Sequence, residues 1–332
     1  MIGLVNVGNT CFINVCLQIL LCTEELNVIL DGVKKVNTVA DSKIFVQWMF
    51  LKKKMGNGKE KQPITPTMFI NSIHQLAKIK KMDLFTQYTQ NDFSEFLSFI
   101  IDCLHNSIKR EVTMNISGTP QSEKDEIARL CYETFGKMYS NDYSDIHKLF
   151  YDFSISEIIS NDNSENMLSR TIEPFFMLHL SIEKMSSIQE CLDFYVQGET
   201  LENENAWFND KTQKKENVKK QIKFWGFPQI LVLILKRTNP FTQKKDNHLI
   251  NYPVNEKLDL SSYVVGYEKH NQIYELYAVC NHIGNAQYGH YTCFVKKNNS
   301  WFFCNDDQVS ELDMAHIMNP YAYCLFYRKV KN

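Results

Sequence analysis

Glycine and proline are scarce in this chain. Its 332 residues include 12 Gly and 8 Pro, where average usage would give about 40 of the two together. The shortage excludes a collagen-like repeat and a Pro/Gly-rich linker chain. No two cysteines form a C-x-x-C pair, which excludes a zinc ribbon. No charge dominates: Lys plus Arg is 36, Asp plus Glu is 38 and the net charge is −2. A strongly basic nucleic-acid binder does not look like this. Long apolar runs are absent too. The longest, Phe12 to Cys22, contains Asn14 and Gln18 and is too short to span a bilayer. Neither nucleic acid nor membrane is an expected partner. The first residues reach a polar run, Asn6-Val7-Gly8-Asn9-Thr10, at once, unlike a signal peptide.

What is present reads as a globular protein. Hydrophobic residues make up 44% and charged residues 22%, both ordinary. The length allows two domains, or one built from sub-lobes. Cysteine is plentiful, at ten. Without a secretion signal, these read as reduced thiols, and the expected location is the cytoplasm or nucleus.

The first 140 residues read as mostly helical. Residues 12–22 are apolar nearly all round, a buried helix that Asn9 or Thr10 could cap. Within 90–104, Phe93, Phe96, Leu97, Ile100, Ile101 and Leu104 keep helical spacing, with Thr89 and Asp92 fitting a capping box. Further helices are expected over 68–79 and about 122–136, separated by the breaker Ser117-Gly118-Thr119-Pro120. After residue 150 the texture changes to short apolar runs of strand length: 175–180, 230–235, 274–279, 290–295, 300–304 and 322–328. Polar segments lie at 160–170 and 202–220, and the second, rich in Lys, Asn and Glu, reads as solvated. The fold class is α+β, helical lobe first.

Cys11 falls in the first turn of the first helix. Orphan N–H groups and the positive end of the dipole favour the thiolate, the nucleophilic form, of a cysteine placed there. Gly8 allows close backbone approach, and backbone N–H groups beside the helix start are the makings of an oxyanion hole, with Asn6 a candidate side-chain donor. The plain alternative is a small buried hydrophobe, as most cysteines are. A nucleophilic cysteine requires an imidazole base, and the base an orienting group. Of nine His, His290 stands in Tyr288-Gly289-His290-Tyr291-Thr292 at a strand start. Asn305-Asp306-Asp307 follows fifteen residues on, after Ser300 to Cys304. Two strands and a short turn would bring Asn305 or Asp306 to the ring and fix its tautomer. His282, before Ile283-Gly284-Asn285, is the rival base.

These blocks resemble the ubiquitin-specific proteases, papain-like cysteine deubiquitinases. Gly3 to Asn14, with Leu17-Gln18, resembles the family's Cys box. Gln90-Asn91-Asp92-Phe93-Ser94-Glu95-Phe96-Leu97 resembles its Gln-x-Asp-x-x-Glu-Phe helix, and Ile230 to Arg237 its Leu-Lys-Arg strand. Tyr274 to Val279, Asn281-His282, Gly289-His290-Tyr291-Thr292, Trp301-Phe302 and Asn305-Asp306 resemble its His box, and Ala322 to Arg328 its last strand. Five blocks in order span the chain. The resemblance implies one catalytic domain over 1–332, with a helical thumb (about 1–140), mostly β fingers (141–235) and a β palm carrying the His box (236–332). It implies Cys11 as nucleophile, His290 as general base and Asn305 as third triad member, with Asp306 beside it and Asn6 in the oxyanion hole. Asp92 and Gln90 would bind the ubiquitin tail, and Gly289 and Tyr291 would face substrate. Ubiquitin and ubiquitinated proteins are the implied partners of a monomeric thiol hydrolase that needs no cofactor. The alternatives are a protease for another ubiquitin-like modifier and a catalytically inactive ubiquitin-binding scaffold.

The chain departs from that family in the fingers, where two C-x-x-C pairs usually hold one Zn²⁺. It has Ser160-Asn161-Asp162-Asn163 at the first and Asn209-Asp210-Lys211-Thr212 at the second. Amide and hydroxyl groups do not replace thiolates, so no metal is expected. Cys16, Cys103, Cys280, Cys293 and Cys324 lie in apolar runs and are expected in the core. Two residues precede the Cys box, which fits either a minimal protein or an excised domain.

Overall fold

The computed structural model describes residues 1–56, 62–161, 166–239, 241–285 and 288–330. Seven helices come first: α1 (Cys11–Leu21), α2 (Glu24–Asp31), α3 (Ser42–Gly56), α4 (Thr67–Ile79), α5 (Phe93–Ile108), α6 (Glu123–Tyr139) and α7 (Asp145–Phe150). Then come β1 (Asp152–Ser160), β2 (Met167–Phe175), β3 (Met177–Ser181), α8 (Ile188–Val196), β4 (Glu199–Leu201), β5 (Trp207–Asn209), β6 (Lys214–Glu216), β7 (Val218–Phe224) and β8 (Ile230–Lys236). The chain closes with β9 (Leu258–Asp259), β10 (Ile273–Gly284), β11 (Gly289–Lys297), β12 (Ser300–Asn305), β13 (Gln308–Leu312) and β14 (Ala322–Lys329). Among the described residues no single helix is long and apolar enough to cross a membrane.

The large sheet runs β13-β12-β11-β10-β14-β8-β3, with β9 on β10. All pairs are antiparallel except β3 with β8. Strand β8 explains why Ile230 to Leu235 is continuously apolar: both of its faces are covered. Ile230, Val232 and Ile234 pack toward the helices, while Leu231, Leu233 and Leu235 pack against α8 and the 250–264 segment. Helix α1 lies between this sheet and α5, and its residues from Cys11 to Leu20 are all buried. Helix α5 buries the predicted stripe; each such Phe, Leu or Ile contributes about 1.5–3 kcal/mol relative to exposure. Asp92 caps it by accepting from Ser94 N and Glu95 N; Thr89 lies upstream and does not cap. Phe96 stacks edge-on to Phe12, with centroids 5.1 Å apart, which pins the residue following Cys11.

Four cysteines stand side by side across the large sheet, Cys304, Cys293, Cys280 and Cys324 on adjacent strands. All ten cysteines are free and buried, including the five assigned to the core. Burial pushes the thiols of Cys280, Cys293 and Cys324 well above the ordinary range, so they behave as inert core atoms.

Two expectations are corrected. The run 175–180 is not one strand: Phe175 ends β2, while β3 begins at Met177, so the chain changes sheets at Phe176. The segment 202–220 is not merely solvated chain. It forms the β5–β6 hairpin and enters β7. Strand β7 completes a second sheet, β2-β1-β7-β4, whose centre is the fully buried carboxylate of Glu157. It accepts from Arg170 Nε at 2.7 Å, Gln221 Nε2 at 2.8 Å and Lys223 Nζ at 2.8 Å. Burial alone would raise this carboxyl, but the bonds from Lys223, Arg170 and Gln221 hold it below the usual range. Residues 162–165, within the other polar segment, lie outside the described residues.

Candidate active site

The loop before α1 is wound around Asn6. Its Oδ1 accepts from Gly8 N at 3.0 Å, Thr10 N at 3.1 Å and Thr10 Oγ1 at 3.1 Å. Gly8 sits at φ +116°, a region that favours glycine. Thr10 is the residue before the helix, yet its hydroxyl accepts from Val7 N and makes no cap bond to the helix. Cys11 is thus held as the first residue of α1, 4% exposed.

The candidate base, His290, comes from the β10–β11 hairpin, where it pairs with Ile283. Strand β12 runs back alongside, Cys304 opposite Cys293, and ends on Asn305. This register closes the fifteen-residue gap. Asn305 Oδ1 lies 2.7 Å from His290 Nε2, whereas Asp306 Oδ2 is 3.8 Å away, beyond hydrogen-bond reach. A hydrogen bond with Cys11 raises the His290 pKa to about 9; burial opposes the shift, while Asn305 and the charge of Asp306 add to it. With Nε2 taken by Asn305, Nδ1 is left for the thiol. The sequence left the third position open between two residues; the structure brings Asn305 to the ring.

Asp306 has a different set of partners. Its carboxylate accepts from Asn6 Nδ2 at 2.9 Å and from Asn14 Nδ2 at 2.8 Å. Its carbonyl accepts from Leu4 N at 2.9 Å. Gly3 passes so close that a Cβ there would lie 2.2 Å from the Asp307 carbonyl oxygen. Asp306 therefore laces the His box to the Cys box, one turn of α1 beyond Cys11. Asn14 is the residue whose role sequence reasoning missed. The signal was an amide in an otherwise apolar helix, 2% exposed, which must find a partner.

A cleft of about 260 Å³ opens over Cys11, lined also by Gln90, Asp92, Gly289, Tyr291 and Tyr323. Asp92 Oδ1 is used by the α5 cap. Its Oδ2 accepts from Tyr323 at 2.8 Å and Tyr291 at 3.4 Å. Burial, and then Asp92, push both phenols far up, so they remain protonated donors. Gln90 reaches across to Gly289, donating Nε2 to its carbonyl at 3.2 Å and accepting its N–H at 3.3 Å. His282, the rival base, stands in the cleft wall. Its Nδ1 is 3.0 Å from Lys245 Nζ, and burial, then Lys245, lower its pKa to about 4. It is paired with a lysine rather than with the thiol.

The metal that the resemblance implies does not fit the residues present. Asn209 is 6% exposed. Its Nδ2 donates to both oxygens of Glu216, at 3.0 and 3.1 Å, its Oδ1 accepts from Lys211 N, and Thr212 Oγ1 donates to Glu216 at 2.5 Å. The side chains at the second C-x-x-C position are consumed by a carboxylate. No cysteine lies between Cys131 and Cys191 to supply thiolates at the first. Asp162 and Asn163 of that position lie outside the described residues. No group of three or more His, Cys, Asp or Glu able to hold a metal occurs among the described residues.

A cysteine heading a helix, an imidazole beside it and an asparagine on the far ring nitrogen have the arrangement that a papain-like thiol site requires. The family model of ubiquitin carboxyl-terminal hydrolases matches residues 2–327, and the chain belongs to that family. Curated relatives include ubiquitin carboxyl-terminal hydrolase Usp2 of Drosophila melanogaster, 28% identical over 98% of this chain and 34% of its own length. Ubiquitin carboxyl-terminal hydrolase 2 of Bos taurus is 28% identical over 98% of this chain and 54% of its own. Hydrolase 16 of Arabidopsis thaliana is 27% identical over 98% and 30%. The chain thus spans between about a third and a half of these relatives. The solved SAGA DUB module of Ubp8, Sgf11, Sus1 and Sgf73 bound to monoubiquitin shares the fold. It superposes with a TM-score of 0.76 at 23% identity, covering 100% of this chain and 69% of that one.

Proposed function

We propose that the chain is a deubiquitinase that hydrolyses the isopeptide or peptide bond after the C-terminal glycine of ubiquitin. The observation that carries this reading is His290 beside Cys11 with its Nε2 2.7 Å from Asn305 Oδ1, on an α+β fold of this family. His290 takes the Cys11 thiol proton. The sulfur attacks the glycine carbonyl, the C–N bond breaks and His290 gives its proton to the departing lysine amine. Water then hydrolyses the thioester with His290 as base, freeing the ubiquitin carboxylate and restoring the thiol. Asn305 keeps the ring in the tautomer and orientation that these transfers need. Asn6 and the backbone N–H groups at the head of α1 hold the oxyanion. One of the two Asn6 Nδ2 hydrogens serves Asp306, which leaves the other to donate to the oxyanion.

In this reading Asp92, Gln90, Gly289 and Tyr291 form the channel for the ubiquitin tail, and residues 1–332 form one catalytic domain with thumb, fingers and palm. Ubiquitin and ubiquitinated proteins are the partners. The protein acts as a monomer, and its ten free, buried cysteines support a reducing location in the cytoplasm or nucleus. Cleavage of a ubiquitin C-terminal fluorogenic amide tests the substrate class. Release of the fluorophore by wild type and not by Cys11→Ala is expected. Turnover of the same amide on another ubiquitin-like modifier alone would move the substrate class, and a folded wild type inert to both would establish a scaffold.

A further inference from the structure

The exposed carboxamide of Gln90 is paired with the backbone of one residue, as a residue of an adjoining strand would be. It satisfies both the N–H and the C=O of Gly289, 199 residues away in sequence. Both residues line the cleft with Cys11, and Gly289 directly precedes the base. No side chain is possible at Gly289: a Cβ there would lie 2.1 Å from His282 Nε2. The backbone of Gly289 is therefore a bare donor–acceptor edge beside the nucleophile. An extended, glycine-ended tail entering the cleft needs such an edge to align its last peptide units.

We propose that Gln90 is a substrate-mimicking latch. In the free protein its carboxamide occupies the Gly289 edge, and the incoming tail displaces it. The inference rests on the thiol-hydrolase reading above and adds a gating residue to it. The bond lengths suit a latch. At 3.2 and 3.3 Å, both are at the long end for N–H···O bonds, and both are exposed, so they exchange readily for bonds to a substrate. Gln90 precedes α5 and is exposed, so its replacement leaves the fold intact.

The test compares wild type, Gln90→Ala and Gln90→Glu in their second-order rate of adduct formation with ubiquitin carrying a C-terminal propargylamide. Removing the competing amide, with its two long and exposed hydrogen bonds, should make Gln90→Ala about three- to tenfold faster. Gln90→Glu, which can accept from the N–H but cannot donate to the carbonyl, should fall between the two. An equal or slower rate for Gln90→Ala overturns the latch. Amide exchange at Gly289 in the free protein provides a measure independent of ubiquitin chemistry. It should quicken by a similar factor in Gln90→Ala, and an unchanged rate again overturns the proposal. Absence of any adduct with wild type would count against the hydrolase reading, while the exchange data would still decide the latch.

Discussion

Asn305→Ala separates the two carboxyl-terminal neighbours that the sequence offered as the orienting group. It deletes one hydrogen bond, 2.7 Å long, to His290 Nε2. A bond from a charged ring to a neutral amide oxygen contributes about 1.5–3 kcal/mol, so kcat should fall by about 10- to 150-fold. Asn305 also helps to raise His290 to about 9, after the larger contribution of Cys11. Losing it should move the alkaline limb of kcat/KM, set by deprotonation of the imidazolium, to lower pH. Folding should change little, because His290 is 39% exposed. Asp306→Ala should behave differently. It strips an acceptor from the half-buried Asn6 and from the buried Asn14, which keeps its bond to the Leu4 carbonyl at 3.1 Å; a buried donor left short of a partner costs about 1–3 kcal/mol, so denaturant unfolding should shift to lower concentration as turnover falls. The assays are pH-resolved kinetics on the ubiquitin amide and urea unfolding of both variants. If Asn305→Ala leaves kcat and the alkaline limb unchanged, while Asp306→Ala abolishes turnover at unchanged stability, Asp306 is the orienter and the geometric argument fails.

Three further outcomes follow from other parts of the molecule. His147 is 8% exposed, its ring 4.3 Å from that of His105, with Tyr139, Tyr151 and Asp142 around it; burial, then His105, lower its pKa to about 4. The unfolded chain binds this proton near pH 6.5, so stability should be complete above that pH and decline by about 3 kcal/mol as pH falls toward 4; His147→Phe should flatten that slope in pH-resolved unfolding. Because Glu216 gathers Asn209 and Thr212 where a metal would sit, chelator should leave thermal unfolding unchanged, and Glu216→Ala should speed amide exchange in the β5–β6 hairpin. Asp92→Ala removes a helix cap worth about 0.5–2 kcal/mol and the acceptor of one buried and one half-buried phenol, so denaturant unfolding should show a loss larger than the cap alone.

The sequence exposed those parts of the fold whose patterns obey one local rule. The stripe from Phe93 to Leu104 keeps helical spacing because one face of α5 is buried and the other is not. Ile230 to Leu235 is apolar throughout because β8 is covered on both faces. Helix α3 escaped notice for a physical reason: Val46 and Phe50 are 56% and 64% exposed, so apolar residues on the solvent side blur the stripe of Ile44, Phe45, Trp48 and Leu51. The hairpin at Trp207 to Glu216 was hidden by its polarity, since its cross-link is a carboxylate accepting amide and hydroxyl bonds. At the site, residue types and spacing pointed to Cys11 and His290. The choice between Asn305 and Asp306 depended on strand register and on Asn14, a long-range contact that no local pattern encodes.

The central claim is that Cys11, activated by His290, is the nucleophile toward a ubiquitin tail. The most direct measurement is intact mass followed by peptide mapping after reaction with ubiquitin carrying a C-terminal propargylamide. One ubiquitin should add per chain, attached to the peptide that contains Cys11, with no adduct on folded Cys11→Ala. An adduct mapped to any of the other nine cysteines, or none on folded wild type, would contradict the account.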